Sequence, residues 1–248
     1  MADPSSFEER LQTIRGRIAA AAARARRDPS AIRLVAVSKG QPAEAIRVAF
    51  AAGLREFGEN YVEEAEPKIR ALDPSITWHM IGHLQSRKAK AAVTLFAQIG
   101  SIDSLALARR LSRFAADTGK TLEILLECNL SGEVSKFGFP AAEPSAWDGI
   151  LREWEQILPL PGLAVAGLMT MAPYSEDPEA SRPVFRRLRE LRERARRDLP
   201  QAEWPELSMG MSDDFEQAVE EGATILRIGR ALFGPRPPRA LAPPGGTA

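Results

Sequence analysis

The sequence predicts an α/β fold, a single (β/α)8 barrel of the TIM type with one extra N-terminal helix. Eight short apolar segments are typical of strands buried on both faces, a helical pattern separates each from the next, and 248 residues suit eight such units. No internal boundary indicates a second domain. We therefore expect a barrel over residues 1–234 and a Pro- and Gly-rich tail over residues 235–248.

The predicted elements alternate along the chain. A helix from Ser6 to Arg27 ends at the turn Asp28-Pro29-Ser30, and the β-branched segment 32–38 is the first strand. The later strands are predicted at 55–58, 76–82, 97–103, 121–129, 164–170, 206–210 and 224–229. The helices between them are predicted at 42–52, 61–72, from 85, 104–118, 147–158, from 178 and from 213.

Composition limits the class of partner. The chain has 33 Lys and Arg and 33 Asp and Glu, so no net charge favours nucleic acid or an acidic membrane. Its one cysteine cannot form an internal disulfide, and we find no secretory leader and no apolar run long enough to span a bilayer. We expect a cytoplasmic protein, monomeric because it has no extra dimerisation domain, with small molecules or proteins as partners.

The segment "LVAVSKG", residues 34–40, places a lysine where a buried strand ends. A surface lysine lying over apolar neighbours would explain Lys39 by itself. However, the C-terminal ends of barrel strands are where active sites form, and Lys39 is the only lysine among these strand ends. A lysine at this position could act as a Schiff-base nucleophile.

A phosphate site is predicted after the last two strands. In "SMGMSDD", Ser212 stands in an N-cap position before a helix predicted to begin near Asp213, and Gly210 lets the backbone approach a ligand. In "RIGRALFG", Gly229 and Arg230 can offer backbone N–H groups from the neighbouring loop. Ser212 could instead be a helix cap without a ligand. Two such loops after strands seven and eight are where barrels commonly bind phosphate, so both interpretations of Ser212 stay open.

Arg227 lies inside the last strand between Leu226 and Ile228, which point towards the helices. An arginine directed into a barrel needs a partner, because an unpaired buried charge is costly. One possibility is a carboxylate within the barrel, and the other is a ring nitrogen of a bound cofactor. With Lys39 and the phosphate site, Arg227 suggests pyridoxal 5′-phosphate (PLP) as the cofactor.

Eight ordered sequence blocks between residues 30 and 234 resemble one known family. They are "AVSKG", "FGENYVEE", "WHMIGHLQ", "SIDS", "NLSGEVSKFGF", "GLMTMAP", "LSMGMSDDFEQAVEEGAT" and "RIGRALFG". The chain resembles the pyridoxal phosphate homeostasis proteins, the YggS/PROSC family, whose barrel is similar to the N-terminal domain of alanine racemase and lacks the racemase's second domain. Arg87 and Arg230 depart from this family's usual residues.

The resemblance implies a set of PLP-binding residues. Lys39 would carry PLP as an aldimine, Arg227 would face the pyridine nitrogen, and Asn60 would lie near the ring. Ser212 would hold the phosphate with the backbone of Gly229 and Arg230. Three further residues would shape the pocket, namely Met209, Gly210 and Met211.

Four other side chains are candidates for a functional or a structural role. His79 is expected to be a core or cross-strand partner rather than a metal ligand, and Cys128 a buried small hydrophobe. His83, at a strand end, could line the pocket. Lys136 lies on a loop over the barrel mouth, where an exposed lysine and a gating or second aldehyde-binding lysine are both open.

The residues favour PLP binding without efficient catalysis. A racemase needs two opposed bases, and only Lys39 is evident. An arginine at the pyridine nitrogen also makes the ring a poor electron sink. We therefore predict a protein that carries or buffers PLP, maintains PLP and amino- and keto-acid pools, and passes PLP to PLP-dependent apoenzymes. A weak amino-acid racemase and a PLP-independent Schiff-base aldolase are the alternatives.

Overall fold

The computed structural model describes residues 6–133 and 135–235. The strands are β1 (Arg33–Val37), β2 (Glu56–Glu59), β3 (Thr77–Met80), β4 (Gln98–Ile102), β5 (Leu122–Asn129), β6 (Phe139–Pro140), β7 (Leu163–Met169), β8 (Glu206–Ser208) and β9 (Ile225–Ile228). The helices are α1 (Phe7–Arg24), α2 (Ala43–Ala51), α3 (Val62–Ala71), α4 (Ala89–Leu95), α5 (Leu105–Thr118), α6 (Trp147–Ile157), α7 (Arg182–Asp198), α8 (Phe215–Glu220) and α9 (Arg230–Phe233).

Eight parallel strands close into a barrel, as predicted. β1 pairs with both β2 and β9, and a pairing between β4 and β5 completes the ring. β6 has two residues and pairs only with β5, so it is an addition outside the ring. All strand pairs are parallel, which brings the C-terminal ends of the eight barrel strands to one face.

Alternation along the strands separates two apolar layers. Val35, Leu125, Met169 and Ile225 pack together inside the barrel. A much larger apolar layer lies between the strands and the surrounding helices, and it includes Leu226 and Ile228. Residue 227 therefore points inwards, as the period of two along a strand requires.

α1 is the extra N-terminal helix, and it ends three residues earlier than predicted. Ser6 and Glu9 form a capping box at its start. At its end Arg26 has a φ of +55°, so the chain leaves the helix there. The Arg27 guanidinium donates to the Val219 and Ala223 carbonyls at the end of α8. A long-range contact of this kind is not visible in helical periodicity.

Three predicted helix starts are displaced. The helix predicted from Pro178 begins as a 3₁₀ turn over Pro178–Ser181, and α7 begins at Arg182. The segment predicted to be helical from Gln85 begins as a 3₁₀ turn over Ser86–Lys88 and becomes α-helical at Ala89. The helix predicted to begin near Asp213 is α8, which begins at Phe215. Nearly all of the predicted tail, residues 236–248, lies outside the described residues.

Candidate functional site

A cavity of about 930 Å³ opens at the C-terminal face of the barrel. Six of the eight predicted cofactor-binding residues line it, namely Lys39, Asn60, Ser212, Arg227, Gly229 and Arg230. They come from the ends of β1, β2, β8 and β9, which are distant in sequence and adjacent in the sheet. A cavity of this size is in the range of small-molecule sites.

Strand alternation directs Lys39 into the cavity. Val35 belongs to the interior cluster and Val37 lines the cavity, so Lys39 continues the inward face of β1. Val37 pairs with Gly58, and this register brings Asn60 beside Lys39. Lys39 is half-buried at the cavity wall.

A close backbone approach fixes the position of Asn60. A Cβ placed on Gly82 would lie 2.6 Å from the Asn60 carbonyl oxygen and 2.7 Å from its Cα. Only glycine fits at residue 82, because backbone atoms cannot move aside as a flexible side chain can. The end of β3 therefore packs directly against the end of β2.

Ser212 joins the two loops of the predicted phosphate site in an unexpected way. It was expected to cap the helix now identified as α8, but the N-cap residue of α8 is Asp214, and Ser212 lies two residues earlier. The Ser212 hydroxyl instead accepts a hydrogen bond from the Ala231 backbone N–H, 3.2 Å away in α9. The Arg230 side chain also bridges the two loops by pairing with Asp213.

Met209 and Gly210 do not line the cavity. Ser208 points into the barrel, so the next residue points outwards, and the Met209 side chain is fully buried in the outer apolar layer. Gly210 has a φ of +92°, and a Cβ there would lie 2.5 Å from the Ala218 Cβ. Both residues shape the loop that carries Ser212 and Met211, and Met211 does line the cavity.

Arg227 extends from β9 to the floor of the cavity, where it is 4% exposed. Its guanidinium donates to the Ser208 hydroxyl at 2.6 Å and to the Thr170 carbonyl at 2.9 Å. Among the described residues, no carboxylate lies within ion-pair distance of this guanidinium. The carboxylate partner considered from the sequence is therefore replaced by two neutral acceptors.

Two buried carboxyl groups still influence Arg227 electrostatically. Burial lowers the pKa of Arg227 to about 10, and the negative charges of Glu127 and Asp214 oppose this shift. Burial raises the pKa of Glu127 to about 7, with Arg227 acting in the opposite direction. Burial also raises the pKa of Asp214. Arg227 thus stays cationic at neutral pH with little compensating negative charge beside it.

One wall of the cavity contains residues that the sequence analysis did not assign. Phe137, from the loop after β5, stacks on His83 with ring centroids 3.6 Å apart, and the His83 Nδ1 lies 3.1 Å from Asp103. Tyr61 and Met171 also line the cavity. His83 was expected to line the pocket and does so. Phe137 stands within the quoted block "NLSGEVSKFGF", on the loop expected over the barrel mouth, but no local pattern indicates that its ring stacks on His83.

The other three candidates have structural surroundings. The His79 Nδ1 lies 3.0 Å from the Gln98 side-chain oxygen, so His79 is a buried cross-strand partner. Cys128 is buried in the outer layer, where burial raises the pKa of its thiol. Lys136 pairs with Glu133 on its own loop, and its Nζ lies 3.5 Å from the Met171 carbonyl oxygen.

Comparisons with known proteins place this barrel in a family. The family model for the N-terminal domain of alanine racemase matches residues 10–237. The pyridoxal phosphate homeostasis protein of Aquifex aeolicus is 43% identical over 229 residues, covering 92% of this chain and 97% of that protein. The chain belongs to the family of pyridoxal phosphate homeostasis proteins.

Other members of this family share both sequence and fold with the chain. The pyridoxal phosphate homeostasis protein of Pseudomonas aeruginosa is 42% identical, covering 94% of this chain and 96% of that protein. The structure of PipY from Synechococcus elongatus with PLP bound has a TM-score of 0.80 and 38% identity, and it covers 92% of this chain and all of PipY. Within the described residues, no helix is long and apolar enough to cross a membrane.

Proposed function

We propose that this protein binds PLP in the cavity, holds it through Lys39 and returns it to the cellular pool. One observation carries the proposal: Lys39 and Arg227 enter a single cavity whose adjoining wall is built by the Ser212 and Gly229 loops. The PLP-bound PipY structure and the family membership of the chain support the same function.

The donor set of the cavity fits the chemistry of PLP. Lys39 offers a primary amine for an aldehyde, and Arg227 offers a buried cation for a ring nitrogen. Ser212 offers a hydroxyl, and the start of α9 offers backbone N–H groups, which suit a phosphate. The three kinds of donor lie on different strand ends, so one ligand could contact all of them at once.

The covalent chemistry explains how binding can be both firm and reversible. PLP would supply an aldehyde, and a primary amine condenses with an aldehyde to form a C=N bond with loss of one water. Water or a second amine can attack the C=N bond and release the first amine. Lys39 provides the amine, and its half-buried position at the cavity wall leaves that bond within reach of a second amine. This suits storage and delivery.

We also propose that the protein is not an efficient catalyst. Arg227 stays cationic beside the ring site and would leave a pyridine nitrogen unprotonated, which weakens the ring as an electron sink. Of the two tyrosines, Tyr61 lines the cavity with 63% exposure, and Tyr174 is 80% exposed. Neither is held as a buried base opposite Lys39.

A weak amino-acid racemase is the second candidate function, and His83 is the observation that favours it. His83 lines the cavity, and its contact with Asp103 could orient the ring as a second base. Incubation of the PLP-loaded protein with single L-amino acids, followed by chiral analysis, separates the two functions. D-amino-acid formation that is lost in His83→Phe would favour the racemase.

Three finer points accompany the proposal. We propose PLP-dependent apoenzymes as recipients, because the cavity opens to solvent and a C=N bond can pass to another lysine. We propose a monomer, because one chain supplies all three kinds of donor. We propose a cytoplasmic location, where the buried thiol of Cys128 would stay reduced.

The decisive experiment is borohydride reduction of PLP-loaded protein followed by peptide mass analysis. We expect one pyridoxyl group on Lys39 and a visible absorbance band that Lys39→Ala loses. Lys120→Ala is the matched control, because Lys120 is a partly buried lysine that donates to the Val93 and Phe96 carbonyls away from the cavity. A wild-type protein without a band, or labelling elsewhere that persists in Lys39→Ala, would refute the proposal.

A further inference from the structure

A buried group of charged side chains lies directly behind the Lys39 turn, outside the cavity. It consists of Glu59 at the end of β2 together with Glu64 and Lys68 in α3. We call these three residues the clamp. Glu59 is fully buried and Lys68 is 9% exposed, so the clamp belongs to the layer between the barrel and α3.

The clamp binds both neighbours of Lys39. The Lys68 ammonium donates to the Ser38 carbonyl at 2.9 Å, and the Ser38 hydroxyl donates to Glu59 at 2.7 Å. On the other side, the Gly40 backbone N–H donates to Glu64. Residues 38 and 40 are therefore fixed by the same group of side chains, and Lys39 lies between them.

Lys68 connects the two halves of the clamp. Its ammonium lies 2.7 Å from Glu59 and 2.7 Å from Glu64, in addition to its bond to Ser38. An ammonium has three N–H donors, so these three contacts use all of them. Removing Lys68 would separate the Glu59 half of the clamp from the Glu64 half and would leave the Ser38 carbonyl without its ammonium donor.

Net stability alone does not explain why these charged side chains are buried together. Burial raises the pKa of Glu59, and its Oε2 is buried with no hydrogen-bond partner among the described residues. Buried ion pairs contribute little net stability, because desolvation offsets most of the attraction. What the clamp does provide is a fixed backbone on each side of Lys39.

We propose that Glu59, Glu64 and Lys68 are positioning residues for the Lys39 tether. They hold the 38–40 turn so that the Lys39 amine stays at the point where the PLP aldehyde is presented by the opposite wall. This rests on the proposed function. The clamp contributes to the C=N bond but not to the contacts of Arg227, Ser212 and Gly229 with the rest of the ligand.

A pair of ligands separates positioning from general structural support. PLP reports the whole interaction, whereas pyridoxine 5′-phosphate has an alcohol in place of the aldehyde and reports the non-covalent contacts alone. We expect the ratio of the two affinities to fall about tenfold or more in Glu64→Leu and Lys68→Met, since an ångström-scale misplacement of a reacting group has effects of this size. Affinity for pyridoxine 5′-phosphate should stay within about twofold of wild type, because the variants do not change Arg227, Ser212 or Gly229, which make the non-covalent contacts.

The variants are chosen to keep the protein folded. Glu64 is 30% exposed in its side chain, so Glu64→Leu removes the Gly40 acceptor without leaving a buried charge. Lys68→Met leaves Glu59 unpaired, so Glu59→Gln/Lys68→Met is made beside it. The matched controls are Glu66→Leu and Arg70→Met, which remove an exposed ion pair with the same i,i+4 spacing in α3.

The outcomes separate the clamp from the tether itself. A lower affinity ratio in the clamp variants, with the two controls unchanged, supports the proposal. An unchanged ratio overturns it, even where both affinities fall together, because the clamp is then only structural. A wild-type protein that forms no covalent bond refutes the proposed function as well. A wild type that forms the bond, with clamp variants that do so equally well, refutes the clamp alone.

Discussion

The two ends of the barrel interior both contain charged residues, but they use them differently. At the N-terminal ends of the strands, Arg33 lies 2.7 Å from Glu56 and 3.2 Å from Glu206. His79 lies 3.0 Å from Glu56 on one side and 3.0 Å from Gln98 on the other. Arg33 pairs with both glutamates, and together with His79 these side chains occupy this end of the interior.

The C-terminal end has a buried cation, Arg227, that faces the cavity. Arg227 is held by two neutral oxygens, and Glu127 has a pKa raised to about 7 because burial disfavours its ionised form. The barrel strands run from one end of the interior to the other. The two ends therefore differ in whether their charged side chains are paired with each other or left facing a ligand. A network whose charges are paired leaves none of them for a ligand, whereas a charge that faces a cavity is available for binding.

Arg33→Met should have the largest effect on stability. It leaves Glu56 and Glu206 partly buried without their cation, and we expect the free energy of unfolding to fall by about 3 kcal/mol. PLP affinity should not change, because the cavity lies at the other end. Urea denaturation and PLP titration measure the two quantities.

Arg227→Met is the matched variant at the cavity end and should reverse this result. It removes a costly buried cation, so unfolding should be nearly unaffected while PLP affinity falls. If Arg33→Met weakens PLP binding as much as Arg227→Met does, the division between the two ends is wrong.

Glu127→Gln should have the next largest effect, and that effect depends on pH. Because burial raises its pKa to about 7, the carboxyl keeps its proton in the folded protein up to about pH 7, whereas in the unfolded chain it ionises near its ordinary pKa of 4.5. Wild-type stability therefore falls as pH rises between these values. The glutamine variant should be more stable by about 3 kcal/mol at pH 8, since each pKa unit is worth about 1.4 kcal/mol, and nearly equal near pH 4.

The measurement for Glu127→Gln is urea denaturation at several pH values. Glu123→Gln, at the N-terminal end of the barrel strands, is the control, because Glu123 already accepts a hydrogen bond from Gln98. A stability difference that does not vary between pH 4 and pH 8 would contradict the raised pKa.

Ser212→Ala should have a smaller effect, confined to binding. The variant loses the hydroxyl that accepts from the Ala231 N–H and that we propose contacts the phosphate. We expect PLP affinity to fall by about 1 kcal/mol, or roughly fivefold. Pyridoxal, which has no phosphate, should bind the variant and the wild type equally. An equal loss for both ligands would exclude a phosphate role.

Arg230→Ala should have the smallest effect. Its side chain is 64% exposed and pairs with Asp213, so we expect the proposed phosphate site to use the backbone of residue 230 and not its guanidinium. We expect less than about 0.5 kcal/mol change in either PLP affinity or unfolding. Titration with PLP at low and high salt checks this, and a large loss at low salt would show that the side chain binds the ligand.

Sequence reasoning predicted which residues at the strand ends line the cavity better than it predicted the contacts that the following loops make. Lys39 follows from a strand end and Arg227 from a period of two, Asn60 was implied by the family resemblance, and the cavity contains all three. Ser212 was expected to cap the helix of its own loop, yet it binds the neighbouring loop. Met209 was assigned to the pocket from its position in a motif, but alternation after Ser208 turns it outwards.

The sequence by itself determined the eight strands, the single lysine among their C-terminal ends and the inward direction of Arg227, because these depend on local periodicity. Tertiary structure alone decided that Phe137 reaches His83, that Arg227 is held by Ser208 and Thr170, and that Lys68 connects Ser38 to Glu59 and Glu64. These contacts join side chains on separate strands, helices and loops, and barrel closure brings those elements together. The residues that make these contacts are not regularly spaced in the sequence, so no sequence pattern predicts them.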